Sequence, residues 1–381
     1  ILMLLLLLSA VMASAQAPEV SLLTVGPGSE VYELEGHTML RLRYPDGRDQ
    51  TVNWGVFDFN SPNFIYRFVK GETDYLAAEA PTSSVLESYR RENREVTEQR
   101  LNLSAAEISK LISLIEDNLR PENRVYRYNY VKDNCATRPL NLIEKSVRTD
   151  SCELVTKIAE SEGSTFRNEM RRYHERFPSY QFGIDLALGS GIDYQISSRE
   201  KTFAPVYLME YLAKTNKIDS SGNEVPLVAS TEVLVERVGE PAAEGGIPLW
   251  LIVYGFLAVV IAVTVVDLKR RRVTKWFDAL FFLVYGIAGC VIFFLVFVSV
   301  HEATSPNLNL LWLNPLALIV PALIWVKRAK KIVFCYQIAN FALVLAFIVG
   351  LLFSMQSTNA LFLPLIAASL LRSANYIIIN R

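Results

Sequence analysis

Asp133-Asn134-Cys135-Ala136-Thr137-Arg138 is the stretch on which the reading of this chain turns. It sets one thiol between an amphipathic helix upstream and a second predicted helix downstream, ahead of the long apolar runs. A thiol so placed is a candidate nucleophile, and a nucleophile needs a base. The chain offers 3 histidines. His174 lies in Arg171-Arg172-Tyr173-His174-Glu175-Arg176, a charged run expected to be a solvated helix face, and His301 ends an apolar span. His37, in Gly36-His37-Thr38-Met39-Leu40-Arg41-Leu42-Arg43, is left as the base.

Downstream of the cysteine, Asp133 or Asn134 suits a helix cap, and a thiol in a helix's first turn gains thiolate character from the dipole and free N–H groups. Pro139 leaves the start of that helix open: Asn134 as cap makes it the fifth helical residue, whereas Thr137 as cap puts it in the first turn. Upstream, Val125, Arg127, Asn129 and Val131 alternate with three tyrosines, the pattern of a strand leading into the thiol. Before it, Ser104-Ala105-Ala106-Glu107 is a capping-box sequence, and Ile108, Leu111, Ile112, Ile115 and Leu119 share one helix face up to Pro121.

The histidine belongs to a predicted hairpin. Residues 31–44 and 50–59 read as its strands, joined by Pro45-Asp46-Gly47 as a three-residue loop with Gly47 left-handed. If Tyr44 faces Arg48, Met39 faces Asn53 and His37 faces Gly55, which puts Asn53 on the face of His37, one diagonal step away. Asn53 is then either a sheet hydrogen-bonding residue or a group that orients the imidazole. A two-residue loop would turn it to the opposite face.

At 51% hydrophobic with mean hydropathy +0.24, the chain is too apolar for an ordinary soluble enzyme. A net charge of -1 with no basic face argues against a nucleic-acid partner. Residues 1–17 read as a secretory signal peptide, 18–238 as an α+β thiol domain, 239–246 as a linker, and 247–381 as a membrane domain. The last holds five apolar stretches, at 247–266, 276–300, 310–326, 332–353 and 360–379, each near the ~20 residues a spanning helix requires. Lys269-Arg270-Arg271-Arg272 and Lys327-Arg328 with Lys330-Lys331 follow the first and third stretches, and the loops at 301–309 and 354–359 carry no lysine or arginine. The positive-inside rule then places residues 18–245 on the outer side with the His301 loop. Asn314-Pro315 makes the third span the weakest.

Cys290 and Cys335 fall within apolar spans as packing residues, while Cys135 and Cys152 share an oxidising compartment, where a disulfide between them is the main alternative to catalysis. Gly183 to Gly191 reads as a glycine-bearing loop without phosphate-binding spacing. No metal or cofactor is called for. Arg372 and Asn375 sit inside the last span, where a charge must meet a partner or reach an interface, and no role is assigned to Asp193. A fragment ending near Gly239 is expected to keep its fold.

Glu35-Gly36-His37-Thr38, Asn53-Trp54-Gly55-Val56-Phe57-Asp58-Phe59, Asp133-Asn134-Cys135-Ala136-Thr137-Arg138 and, later, Asn307-Leu308-Asn309-Leu310-Leu311-Trp312-Leu313-Asn314-Pro315 resemble the bacterial lipoprotein N-acyltransferase family of the Lnb type, formerly a domain of unknown function. The order of histidine before an Asn-Cys pair is similar to permuted papain-like enzymes such as lecithin:retinol acyltransferase. The resemblance implies a permuted papain-like α+β ectodomain followed by an all-α, five-helix transmembrane domain, in the bacterial inner membrane with the catalytic domain periplasmic. It implies a Cys135 thioester that carries an acyl chain from a phospholipid, or from the lipoprotein's glycerol, to the amino group of a diacylglyceryl lipoprotein's N-terminal cysteine. His37 and Asn53 complete the catalytic set, and backbone N–H groups opening the next helix would hold the oxyanion. Asn134, Arg138, His301 and Asn309 are the expected substrate-binding residues, Arg138 toward a phosphate head group. Other readings are a membrane-anchored cysteine peptidase or amidase acting on the cell wall, and a non-catalytic assembly protein with a Cys135–Cys152 disulfide.

Overall fold

The structure is a computed structural model and describes residues 17–58, 60–148, 153–160, 163–219 and 221–381. The expected signal peptide and Cys152 lie outside the described residues, apart from Ala17. Strands β1 (Glu19–Val25), β2 (His37–Arg43) and β3 (Asp49–Val56) lead to a short helix, α1 (Phe64–Lys70). There follow β4 (Asp74–Pro81), α2 (Thr82–Arg91), β5 (Val96–Leu101), α3 (Ala105–Leu119), β6 (Val125–Arg127) and α4 (Thr137–Val147). Next come β7 (Leu154–Thr156), α5 (Phe166–His174), α6 (Pro178–Ala187), α7 (Pro205–Ala213), β8 (Thr215–Ile218), β9 (Glu224–Pro226) and β10 (Val228–Val235). The apolar half contains α8 (Leu249–Arg270), α9 (Lys275–Phe297), α10 (Ile319–Leu323), α11 (Lys330–Leu352) and α12 (Phe362–Asn380). The architecture is α+β followed by all-α. These elements form two compact units: residues up to 62 with 73–162 and 196–242, and residues 63–72, 163–195 and 243–381.

The first unit is built on an antiparallel sheet ordered β10-β5-β1-β2-β3-β4-β6. Its central strands are buried on both faces. Val20, Leu22, Leu40, Leu42, Val52 and Trp54 pack one way, with Leu111 and Ile115 of α3, Leu140 and Ile143 of α4 and Leu208 of α7. Leu23, Val25, Met39 and Val96 pack the other way, beneath Val85, Leu86 and Tyr89 of α2. The Tyr44 N–H donates to the Arg48 carbonyl at 2.8 Å and Gly47 has φ 92°, so the three-residue loop forms and pairs Met39 with Asn53. At α3, Ser104 and Glu107 bond reciprocally as a capping box.

In the second unit, four helices are long and apolar enough to cross a membrane, at 249–270, 275–297, 327–352 and 362–380. The expected third span is not one of them. Residues 308–323 form two 3-10 turns and the short α10, because Pro315 and Pro321 lack the N–H groups a continuous helix needs. Gly286 and Gly289 of α9 let this broken stretch approach closely: a Cβ on Gly289 would lie 2.5 Å from the Asn314 carbonyl carbon. Arg372 does not reach an interface. It is fully buried, donating to Asp267 and Asp278 at 2.7 Å each and to Thr264 at 2.9 Å, and so ties α12 to α8 and α9. The charged run around His174 is not a solvated face either. His174 is 1% exposed against the Tyr180 ring, Arg171 bonds Asp185, and the neighbouring Arg167 is buried on Asp185 and Asp193. Gly183 lies within α6 rather than in a loop.

Candidate active site

A ladder end and a glycine-dependent register shift shape the site. The β2–β3 ladder ends at Met39–Asn53, and the β3–β4 ladder shifts register between Trp54 and Val56. Gly55 between them has φ 98°, a left-handed conformation that an L side chain adopts only under strain. A Cβ there would meet the Tyr128 ring at 3.2 Å and the Cys135 Cβ at 3.9 Å. The space beside the end of β2 is therefore filled by the tyrosine and the cysteine.

At that end, His37 Nε2 donates to Asn53 Oδ1 at 2.7 Å. Because a carboxamide oxygen accepts, this bond sets the tautomer and leaves Nδ1 with its lone pair. Cys135 has a free thiol and is 6% exposed. The Tyr128 hydroxyl donates toward its Sγ at 3.8 Å, and the backbone N–H of Thr38, the residue after the histidine, also favours the thiolate.

Burial dominates the protonation of both groups. It pushes the Cys135 thiol up to about 11, against the pull of Tyr128 and the Thr38 N–H. It pushes the His37 imidazole down to about 4, with the Asn53 bond opposing and the Arg94 guanidinium adding. At neutral pH the resting pair is a thiol and a neutral imidazole. The helix start does not supply the expected thiolate character.

The turn that carries the thiol is held by Asn134. Its Oδ1 accepts from the N–H groups of Ala136 and Thr137 at 2.9 Å each, and its amide donates to the carbonyls of Tyr130 and Phe203 at 2.8 Å each. α4 begins at Thr137, with Pro139 in its first turn. The Arg138 N–H is taken by the Asn134 carbonyl, and Pro139 has none. The N–H groups of Ala136, Thr137 and Arg138 are thus already used. The donors beside the sulfur are the Tyr128 hydroxyl, the Thr38 N–H and the N–H of Cys135 itself.

The expected substrate-binding residues are placed differently from expectation. Asn134 spends both amide hydrogens on the backbone, as above. Arg138 closes on Asp133 with bonds of 2.5 and 2.8 Å and lies 3.4 Å over the Tyr126 ring, which neutralises the charge meant for a phosphate. In the second unit, Asn309 is fully buried, donating to the Leu186 carbonyl and accepting from Trp312 Nε1. His301 Nε2 donates to the Phe68 carbonyl at 2.9 Å. Asp193 accepts from Arg167 and from the Ser357 N–H. These are braces.

Tyr128 is the site residue that sequence reasoning passed over. It stacks on Tyr75 with centroids 4.5 Å apart, and burial holds its hydroxyl protonated. Its signal was the alternation of Tyr126, Tyr128 and Tyr130 ahead of the cysteine, read only as a strand. Among the described residues, no cluster of three or more histidine, cysteine or acidic side chains could hold a metal.

Residues 11–161 match the family model of the Lnb N-terminal periplasmic domain, and residues 245–381 match that of the Lnb transmembrane domain. No curated protein and no solved structure matches the chain. One matched segment holds His37, Asn53, Tyr128 and Cys135, and the other holds all four long apolar helices. Between them they account for most of the sequence, in the order of a periplasmic domain followed by a membrane domain, and the chain belongs to the Lnb-type lipoprotein N-acyltransferase family.

Proposed function

We propose that this protein is a thiol acyltransferase of the bacterial inner membrane that N-acylates lipoproteins through a Cys135 thioester. The observation that carries the reading is the His37–Asn53 bond, which leaves Nδ1 unprotonated at the strand end where the Thr38 N–H meets the free Cys135 thiol. Since the resting pair is neutral, His37 acts as a general base during attack rather than as the partner of a preformed thiolate.

In the first half-reaction, Sγ bonds to the ester carbonyl carbon of a membrane phospholipid while its proton passes to His37. The tetrahedral oxyanion is met by the Tyr128 hydroxyl and the Thr38 N–H, and its collapse expels the alcohol, which takes the proton back. In the second, the amino group of the lipoprotein's N-terminal cysteine attacks the thioester, gives a proton to His37, and releases Cys135 as a thiol. A lipoprotein glycerol ester is the alternative donor for the first step. Asn53 keeps the imidazole in the productive tautomer throughout.

The test incubates the full-length protein in phospholipid vesicles with a diacylglyceryl lipopeptide bearing a free N-terminal cysteine. Mass spectrometry should find one added acyl chain on the peptide and, under short quench, an acyl group on Cys135. A triacylated product formed equally by Cys135→Ala would overturn the reading.

A further inference from the structure

The connection between β3 and β4 leaves the sheet and forms α1, whose sequence is Phe64-Ile65-Tyr66-Arg67-Phe68-Val69-Lys70. No residue of this helix is buried: Ile65 is 78% exposed, Tyr66 53% and Phe68 47%. An exposed apolar cluster on so short a helix is costly in water. Its surroundings show what covers it.

α1 belongs to the unit of the membrane helices and docks on the last turn of α9. The Tyr66 ring sits edge-on to Phe294, at 6.1 Å between centroids. The Lys70 carbonyl accepts from the Val300 N–H and the Val69 carbonyl from Ser299 Oγ, each at 2.9 Å. The Phe68 carbonyl accepts from His301 Nε2 and from the Gly71 N–H, and the Arg67 carbonyl from the Glu72 N–H. Every carbonyl from Arg67 to Lys70 is satisfied by protein. The bonds from Gly71 and Glu72 are an ordinary left-handed glycine cap, but those from Ser299, Val300 and His301 come from the chain leaving the end of α9, and a helix end at hydrocarbon depth must have its carbonyls satisfied by protein in this way.

Gly71 permits this docking, with φ 79° and a missing Cβ that would lie 2.9 Å from Val300. Phe293 and Phe297 of α9 are 46% and 65% exposed in a span that faces lipid, so the apolar surface of α1 continues that of α9. Arg67 and Lys70 are held at the helix's C-terminal end by the Glu72 carbonyl and carboxylate, as basic residues are at an interface.

We propose that α1 is an interfacial helix, inserting Ile65 and Phe68 among the acyl chains of the membrane leaflet at the outer end of α9. The lipid surface is its partner. This inference goes beyond the acyl-transfer reading and holds whichever reaction the thiol performs. It gives the chain segment joining β3, the strand of Asn53, to β4 a fixed depth in the bilayer.

The test places a benzophenone amino acid singly at Ile65, Phe68, Phe293 and Val233 of the full-length protein in phospholipid nanodiscs. Val233 is 47% exposed on β10 and serves as the water-facing control. After irradiation, positions 65 and 68 should carry acyl-chain adducts as often as position 293, and position 233 none. Absence of lipid adducts at 65 and 68 while 293 is labelled overturns the proposal, as does crosslinking of 65 to a second copy or another protein. Gly71→Val supplies an independent check: it should reduce the adducts at 65 and leave those at 293 unchanged, and unchanged labelling at 65 would refute the docking that sets the helix's depth.

Discussion

A papain-like cysteine is expected to rest as a thiolate beside an imidazolium, and the burial of Cys135 and His37 predicts the reverse. With the thiol pushed up to about 11, its thiolate fraction at neutral pH is roughly 300-fold below that of a cysteine with the ordinary value of about 8.5. The perturbation is a change of pH, and the assay is alkylation of the native protein by iodoacetamide, followed site by site through the peptide containing Cys135. Limited access to a 6% exposed thiol slows the reaction at every pH, so the informative quantity is the shape of the profile. The rate should rise about tenfold per pH unit through pH 9 without levelling, as it does for a thiol titrating above that range. His37→Ala should leave that slope intact, because a neutral imidazole stabilises no resting thiolate. Acyl transfer should nonetheless persist at neutral pH and fall only as acid protonates His37, near pH 4, since it needs the free Nδ1. A plateau of alkylation below pH 7 that disappears in His37→Ala would mean an ion pair and would refute the reasoning.

Other expectations follow from the same geometry. Cys135→Ser and His37→Ala should each remove most turnover, and the double variant should be scarcely worse than either when assayed by lipopeptide mass spectrometry, because groups acting as one unit are not additive. Tyr128→Phe should lower kcat by roughly 100- to 1000-fold with little change in KM, as loss of an oxyanion donor does, while its thermal unfolding stays near that of the parent. Gly55→Ala should cost about 1–2 kcal/mol of stability for its left-handed backbone and reduce turnover as the Tyr128 ring is displaced, read by denaturation and by the transfer assay. Arg372→Met leaves Asp267 and Asp278 buried without their cation and should destabilise the membrane unit by about 3–5 kcal/mol in detergent unfolding.

Much of the site could be read locally. A Pro-Asp-Gly loop specifies its own length, and loop length sets hairpin register, so the bond from His37 to Asn53 could be anticipated from the numbering of two short strands. The capping box at Ser104 and the alternation of charged loops around the apolar runs are likewise short-range patterns. The roles of Asn134, Arg138, His301 and Asn309 were not legible, because a polar side chain looks the same in sequence whether it faces a substrate or satisfies a buried carbonyl. Only the placement of Tyr130, Phe203, Asp133, Leu186 and Phe68 around them decides that.

By itself the sequence determined the elements whose causes lie within a few residues: the hairpin and its register, the α3 cap and the four long apolar helices. Tertiary structure alone decided how far the buried Cys135 and the half-buried His37 are withdrawn from water, and hence their neutral resting state, because desolvation depends on atoms brought together from distant parts of the chain. It also decided which unit each segment joins. Residues 63–72 and 163–195 lie among the ectodomain elements in sequence yet pack with the membrane helices, so a fragment ending near Gly239 would retain these segments without the residues they pack on. Chain order does not reveal such partners, because each contact spans more than a hundred residues and neither side carries a periodic signal of it.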